Sequence, residues 1–318
     1  MPAEFELIAR FFTGLGTRRA DVTLGVGDDA ALLSVPPGHE LVVTVDGIAE
    51  GVDFLSDTRA SDVGHRALAV NLSDLAAMGA APAWATLSLT VPAPDEAWLE
   101  DFAQGLDALA RAHGTELVGG DLARGPRAAV IQALGVVPTG QALRRSGARA
   151  GDLVYVTGWP GDAAAGLAIL EGRLAASGAS RSWLIERFLR PEPRVAFGQR
   201  LRGVASACID VSDGLAQDLT QLARASGVGA VLDAEALPLS RALHALCGEE
   251  RARRLALCGG DDYELLFTVP PAGRGALAAL AHSAPACHCI GEIVQGSGVR
   301  VRAPGGDLPI EGYDHFRV

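Results

Sequence analysis

Long apolar runs are missing from this chain. No run of roughly 18 uncharged apolar residues occurs, so no membrane-spanning helix is expected. The first residues, MPAEFELIARF, carry neither a basic n-region nor an apolar h-region, so no secretory leader is expected. Positive charge is scarce: 27 Lys plus Arg stand against 38 Asp plus Glu, and the net charge of −11 argues against nonspecific nucleic-acid binding. An anionic ligand then needs local help from cations or backbone N–H groups. Cysteines are few and odd in number: Cys208, Cys247, Cys258, Cys287 and Cys289. That scatter fits reduced thiols in a cytoplasm rather than a disulfide framework. Cys287 and Cys289 flank His288, but no second cysteine pair lies nearby, and the reading is local packing. No complete Walker A run occurs, and no G-x-G-x-x-G opens a helix after a strand. The chain is therefore neither a P-loop enzyme nor an obvious Rossmann enzyme. No Ser–His or Cys–His arrangement stands out either. His65, His113 and His315 are isolated, which leaves no covalent nucleophile to name.

What the chain has is glycine, 39 residues of it, and a hydrophobic fraction of 49%, which suits tight turns and closely packed helices. Its length suggests two domains, each able to bury a core. The basic, glycine-bearing stretch from Gln141 to Asp152 is the expected boundary. Arg144, Arg145 and Arg149 stand out there, either as phosphate partners or as a solvated hairpin.

Aspartates recur beside glycines and small residues. In the first half, Glu4–Phe12 reads as a helix with Phe5, Ile8 and Phe12 on one face. Asp28 and Asp29 follow Gly27, either in an Asx-turn between strands or in a metal-binding loop. A strand is expected over Leu41–Val45, ending at Asp46, with Thr44 beside it as a further oxygen. Asp53 follows, between the apolar anchors Ile48 and Phe54. The stretch Asn71–Gly79, NLSDLAAMG, lies in a helix expected from His65 to Met78. Leu68, Leu72, Leu75 and Ala76 fall on one side of it, and Asn71 and Asp74 on another. A carboxylate among such residues is costly to bury unless something pairs with it. A strand is expected over Trp84–Val91, then a helix beginning near Asp95 and Glu96 and running to about His113. Gly119-Gly120-Asp121 reads as a strand end where backbone can approach a phosphate closely, and Ala128–Val137 as a long strand.

In the second half, strands are expected over Leu153–Thr157 and Ala207–Val211, with helices over Ala163–Leu170 and Ala216–Ser226. The second strand delivers Asp210, Ser212 and Asp213 just before a helix, a set of oxygens that points to metal or nucleotide. Gly259–Glu264 precedes a strand over Leu265–Val269. A helix is expected over Arg274–His282, a strand over His288–Val294, and an aromatic tail in Tyr313 and Phe316. GDDAALL, SDL and GGD have short echoes in SDGL and GGDDYELL, which suggests two related α/β halves.

The order and spacing of VGDDAALL, VTVDGIAEGVDF, NLSDLAAMGA, LVGGDLARGP, LRRSGARAGD, CIDVSDGL, GGDDYELLFT and GYDHF resemble the thiamine-monophosphate kinase family, within the aminoimidazole ribonucleotide synthetase-like superfamily. The resemblance covers almost the whole chain. It implies a two-domain α/β fold: an N-terminal domain over residues 1–140 that closes a barrel with its copy in a homodimer, a C-terminal α/β domain over 150–305, and a tail over 306–318. It implies ATP-dependent phosphorylation of thiamine monophosphate with several Mg²⁺ ions, by direct in-line transfer. Asp28, Thr44, Val45, Asp46, Asp74, Asp121, Asp210 and Asp213 are then metal ligands. Gly120, Asp121, Arg145 and Ser212 contact ATP, and Asp53, Asp261 and Tyr313 hold the substrate. Two positions depart from the family: Asp53 stands where His is common, and GGDDYEL where GGEDYEL is common. Competing readings are another ATP-using member of the superfamily or a noncatalytic nucleotide-binding dimer. A selenophosphate synthetase would carry a reactive Cys near the N-terminus, whereas the first Cys here is Cys208. The hydrogenase-maturation relative ends in a cysteine motif, whereas this chain ends HFRV.

Overall fold

The computed structural model describes residues 4–280, 285–303 and 306–308. The chain divides into two compact units. The first runs to Leu75 and includes Ala80–Gly140; the second takes Ala76–Gly79 and the chain from Gln141 on.

The first unit contains α1 (Glu4–Phe11), β1 (Val22–Leu24), β2 (Leu32–Leu33), β3 (His39–Ala49), most of α2 (Ala60–Ala77), β4 (Ala81–Val91), α3 (Glu96–Ala112), β5 (Glu116–Arg124) and β6 (Ala128–Pro138). Its main sheet has the order β3-β6-β4-β5. Strands β4 and β5 run parallel and need a crossover, which α3 supplies; β6 is antiparallel to both its neighbours. Asp95 starts α3 by accepting from the N–H groups of Ala97 and Trp98. In α2, Leu68, Leu72, Leu75 and Ala76 are buried as the spacing predicts, and so are Asn71 and Ser73. A helix covered nearly all round belongs to a core.

Several sequence expectations need correction. Helix α2 begins five residues before His65. The amide of Ser61 in its first turn is capped by Asp101 of α3 at 2.9 Å, a partner that local sequence cannot reveal. In α1 the buried residues are Leu7 and Phe11; of the expected face, Phe12 is buried just past the helix end, while Phe5 is 80% exposed. Strand β3 does not stop at Val45, nor is it a buried strand. It is an edge strand, and Gly47, Ile48 and Ala49 still pair with Val130, Ala129 and Ala128. Asp46 therefore sits within the strand. Likewise Asp121 sits inside β5, opposite Ser88 of β4. Among the described residues the four-stranded sheet is open, with β3 and β5 at its edges.

The second unit contains β7 (Leu153–Thr157), α4 (Asp162–Leu170), α5 (Gly178–Leu189), α6 (Val195–Leu201), β8 (Ala207–Val211), α7 (Leu215–Ser226), β9 (Gly229–Asp233), α8 (Arg241–Cys258), β10 (Glu264–Val269), α9 (Arg274–Leu280), β11 (Cys287–Val294), β12 (Gly298–Ala303) and β13 (Gly306–Leu308). The sheet order is β13-β12-β9-β11-β7-β10-β8. Strands β8 and β10 are buried along their whole length, which explains why apolar residues stand on both faces, with Asp210 and Glu264 as the buried charged exceptions. Their core includes Val154, Ile209, Leu219, Leu232 and Leu266. The two units' sheets differ in strand number and order, so the short sequence echoes do not extend to a shared topology.

The registers place the chemistry of this unit. Val211 pairs with Glu264, Leu266 with Val156, and Thr157 with Cys287. The segments 158–161, 212–214 and 259–263 therefore gather at one end of the sheet. Among the described residues no helix is long and apolar enough to cross a membrane.

Candidate functional site

In the first unit, strand alternation sorts β3 into two faces. Leu41, Val43 and Val45 are exposed, 44%, 50% and 58% respectively. Val42, Thr44 and Asp46 occupy the other face, and there the Thr44 hydroxyl donates to the Asp74 carboxylate of α2. Two expected ligands, thirty residues apart in sequence, thus meet. Asp46 lies two residues along the same face, fixed by Asn71. The Asn71 carbonyl oxygen accepts from the Asp46 N–H at 2.9 Å, and its amide group donates to the Ala67 carbonyl at 3.1 Å. Val45 carries no side-chain donor atom, so its only possible offering to a cation is the main-chain carbonyl.

The other first-unit candidates lie apart from this group. Asp28 sits in the loop between the paired strands β1 and β2, and its carboxylate accepts from the Asp29 N–H at 2.8 Å. Asp53 accepts from the Ala49 N–H at 2.8 Å and closes the turn after β3, flanked by buried Ile48 and Phe54. Gly120 is in the left-handed region, φ +149°, and a Cβ there would sit 1.9 Å from the Leu87 carbonyl oxygen, so only glycine fits. Asp121 is exposed on β5. It stands at the opposite sheet edge from Asp46, roughly 14 Å away across three strand spacings.

In the second unit, Asp210 lies one residue before the end of buried strand β8 at 4% exposure, and beyond Val211 the chain turns through Ser212, Asp213 and Gly214 into α7. All three turn amides donate to one carboxylate oxygen of Asp218, each at 3.1 Å. The segment carrying Asp261 is knit to this turn: the Asp261 N–H donates to the Ser212 carbonyl at 2.9 Å and the Tyr263 N–H to the Val211 carbonyl at 2.8 Å. Asp261 and Tyr263 both have positive φ, 69° and 50°. Non-glycine residues held there mark a segment whose surroundings over-determine its shape. The Tyr263 hydroxyl donates to Asp261 at 3.2 Å. Arg145 is exposed, with its carbonyl fixed by Ser226 at 3.0 Å. Tyr313 and Phe316 lie outside the described residues.

Beneath these segments is a buried charged network. Fully buried Glu264 accepts from Arg194 and Arg187 at 2.7 Å and from the Thr157 hydroxyl at 2.6 Å. Burial alone would raise its pKa, but the bonds and charges of Arg194 and Arg187 outweigh that and hold it below the ordinary value. Asp262 accepts from the Gly161 and Ala163 amides and fastens the start of α4 to the 259–263 segment. Burial raises its pKa, and the nearby charges of Asp162 and Glu264 add to the shift.

Asp218 is pushed up to about 8, first by burial and then by the charges of Asp210 and Asp213. Such crowding of carboxylates is the situation a divalent cation relieves. Among the described residues no three His, Cys, Asp or Glu side chains form a ready-made cation cage. Mg²⁺ does not require one, because it keeps several waters and binds through one or two carboxylates together with substrate phosphates. The oxygen-only donor sets, Thr44, Asp46 and Asp74 in one unit and Asp210, Ser212 and Asp213 in the other, fit a hard cation of that kind.

Comparison with known proteins agrees with this chemistry. Residues 27–140 match the family described as AIR synthase related protein, N-terminal domain, and residues 149–304 match its C-terminal domain. The thiamine-monophosphate kinase of Escherichia coli (strain K12) is 49% identical over 318 residues, covering 98% of each chain. The crystal structure of thiamine-monophosphate kinase from Stenotrophomonas maltophilia K279a superposes with a TM-score of 0.85 at 48% identity, covering 93% of this chain and 94% of that one. AaThiL complexed with AMPPCP and TMP superposes with a TM-score of 0.80 at 33% identity, covering 89% of each.

Proposed function

The chain belongs to the thiamine-monophosphate kinase family, and from that premise we propose how its residues share the work. It is an ATP-dependent kinase that phosphorylates thiamine monophosphate to the diphosphate. The observation that carries this reading is 49% identity to a thiamine-monophosphate kinase over an alignment covering 98% of the chain.

We assign residues 1–140 to an N-terminal domain, 150–305 to a C-terminal domain and 306–318 to a tail. Mg²⁺, when bound, would offset negative charge on the phosphates and on the transferring group. Within the first unit, Asp28, Thr44, Val45, Asp46, Asp74 and Asp121 are assigned to Mg²⁺ ions; within the second, Asp210 and Asp213 are. The Thr44 hydroxyl aims the Asp74 carboxylate, and Asn71 fixes Asp46 beside them. Gly120 gives a phosphate close access to backbone, and the exposed guanidinium of Arg145 offers a forked donor to phosphate oxygens. Asp121 and Ser212 are likewise assigned to ATP. Asp53, Asp261 and Tyr313 are assigned to thiamine monophosphate. The attacking oxygen belongs to a phosphate already largely ionised near neutral pH, so no protein base is assigned.

We further propose that the chain works as a homodimer. Exposed Leu41, Val43 and Val45 form an apolar strip on one face of β3, continued by Val130 of β6, which pairs opposite Gly47. Single exposed apolar residues need no explanation, but a contiguous strip favours a covering partner. A second copy that pairs the open edges would close the sheets into a barrel. It would also bring Asp121 on one edge strand toward Asp46 on the partner's, which the single chain holds apart. Scattered free cysteines fit a reducing cytoplasm.

Transfer from ATP chirally labelled at the γ-phosphate tests the direct mechanism. One in-line step gives inversion at phosphorus; net retention would establish a phosphoenzyme instead.

A further inference from the structure

The turn between β8 and α7 is held by a residue outside the proposed ligand set. Asp218 lies in the first turn of α7 and is 3% exposed. Its side chain folds back so that one oxygen receives the N–H groups of Ser212, Asp213 and Gly214, each at 3.1 Å. Successive amides converging on one anion form a nest, here at the start of a helix whose dipole favours negative charge. Such a nest is a common seat for phosphate. In this chain the protein fills it with its own carboxylate.

The consequences are directional. With their N–H groups turned inward on Asp218, the turn residues are fixed in orientation, and the Ser212 carbonyl is available to the Asp261 N–H at 2.9 Å. Gly214 completes the turn at φ +123°, a conformation that suits glycine. Asp213 carries a local restraint of its own: one carboxylate oxygen accepts from the Gln217 amide at 3.2 Å. The amides cannot serve an incoming phosphate, which leaves the Ser212 hydroxyl and a cation on Asp210 and Asp213 to meet anionic ligands at this turn.

We propose that Asp218 is a positioning residue of the phosphoryl-transfer site, a buried carboxyl acceptor that sets the Ser212–Asp213–Gly214 turn in its cation-holding conformation. This rests on the reading of Asp210 and Asp213 as cation ligands.

The test compares wild type with Asp218→Ala, Asp218→Asn and Asp213→Asn, all in the intact chain. Half-saturating Mg²⁺ is measured for the kinase reaction, with hydrogen exchange at residues 212–214 and thermal unfolding alongside. Loss of an outer-shell partner usually weakens metal affinity about 10- to 100-fold. Asp218→Ala is expected to raise half-saturating Mg²⁺ by that factor and to expose the turn amides to exchange. Asp218→Asn keeps an oxygen acceptor and is expected to recover most of the loss, leaving a rise of about threefold because its NH₂ group must take the place of the second carboxyl oxygen in a buried site. A lowered unfolding temperature with wild-type Mg²⁺ dependence in Asp218→Ala would overturn the proposal. Should that variant fail to fold, a wild-type value in Asp218→Asn overturns it. If Asp213→Asn also leaves the Mg²⁺ dependence unchanged, the cation-site reading fails as well; a shift in Asp213→Asn alone defeats only the role of Asp218.

Discussion

The side-chain amide of Asn71 grips the main chain of Asp46 on both sides, accepting from its N–H at 2.9 Å and donating to its carbonyl at 3.4 Å. Strand β3 is a sheet edge, so backbone groups on its outer side have no ladder partner. A buried helix residue takes that place. Asn71→Ala removes both bonds and leaves a cavity. A loss of about 1–3 kcal/mol in unfolding free energy is expected, the usual cost of stranding buried polar groups. Urea denaturation measures it, and ATP turnover should fall with it because Asp46 is no longer fixed. Unchanged turnover would separate Asn71 from the site.

One turn further along α2, Asp74 accepts from Thr44. Asp74→Asn and Asp46→Asn keep side-chain size but remove charge where Mg²⁺ is proposed. Turnover at fixed Mg²⁺ is expected to drop by about 100-fold with the unfolding midpoint unchanged. A change in midpoint alone would make the Thr44–Asp74 pair structural.

The second unit's integrity rests on Glu264. Asp261 and Tyr263 immediately precede it, and Arg187 and Arg194 converge on it. Breaking a buried pair strands the remaining charge, at a cost of about 3–5 kcal/mol. Glu264→Ala should lose that much stability in chemical denaturation. A loss below about 1 kcal/mol would mean that the two arginines find water or other partners.

His288 gives a pH-dependent prediction. Burial holds its pKa below the ordinary value of 6.5, and the opposing charge of Glu264 does not restore it. The unfolded chain therefore binds a proton more readily than the fold. The contribution of His288 to stability is full above its unfolded pKa and is lost as pH falls through its folded pKa. His288→Gln should show a shallower decline in stability than wild type on acidification below about pH 6.5. Identical slopes would show that His288 does not titrate differently in the fold.

Much of this architecture is legible from local pattern. Strand β7 occupies its expected span because a β-branched and aromatic run bounded by Asp152 and Gly158 has few other solutions; β8 also keeps its expected span, although Asp210 interrupts its apolar residues. The buried stripe of α2 follows from its spacing. What escaped is tertiary. Asp101 extends α2 from another helix, and pairing with β6 carries β3 past Asp46. Helices α5, α6 and α8 and strands β9 and β12 went unassigned, and α8 bends at Gly248, which breaks any single periodicity. Among functional residues, Asp74 and Thr44 were named without their mutual bond. Asp218 was missed although an acidic residue in the first turn of a helix is itself a signal for amide capture.

The central claim is phosphoryl transfer from ATP to thiamine monophosphate, and product stoichiometry tests it most directly. The purified chain is incubated with ATP, Mg²⁺ and thiamine monophosphate, and ADP and thiamine diphosphate are counted together, with free thiamine as a parallel acceptor. The account predicts equal amounts of the two products, none when Mg²⁺ is chelated, and little reaction with free thiamine, which lacks the phosphate that the cations would meet. ADP without thiamine diphosphate, or nucleotide binding by well-folded protein with no turnover, would contradict it.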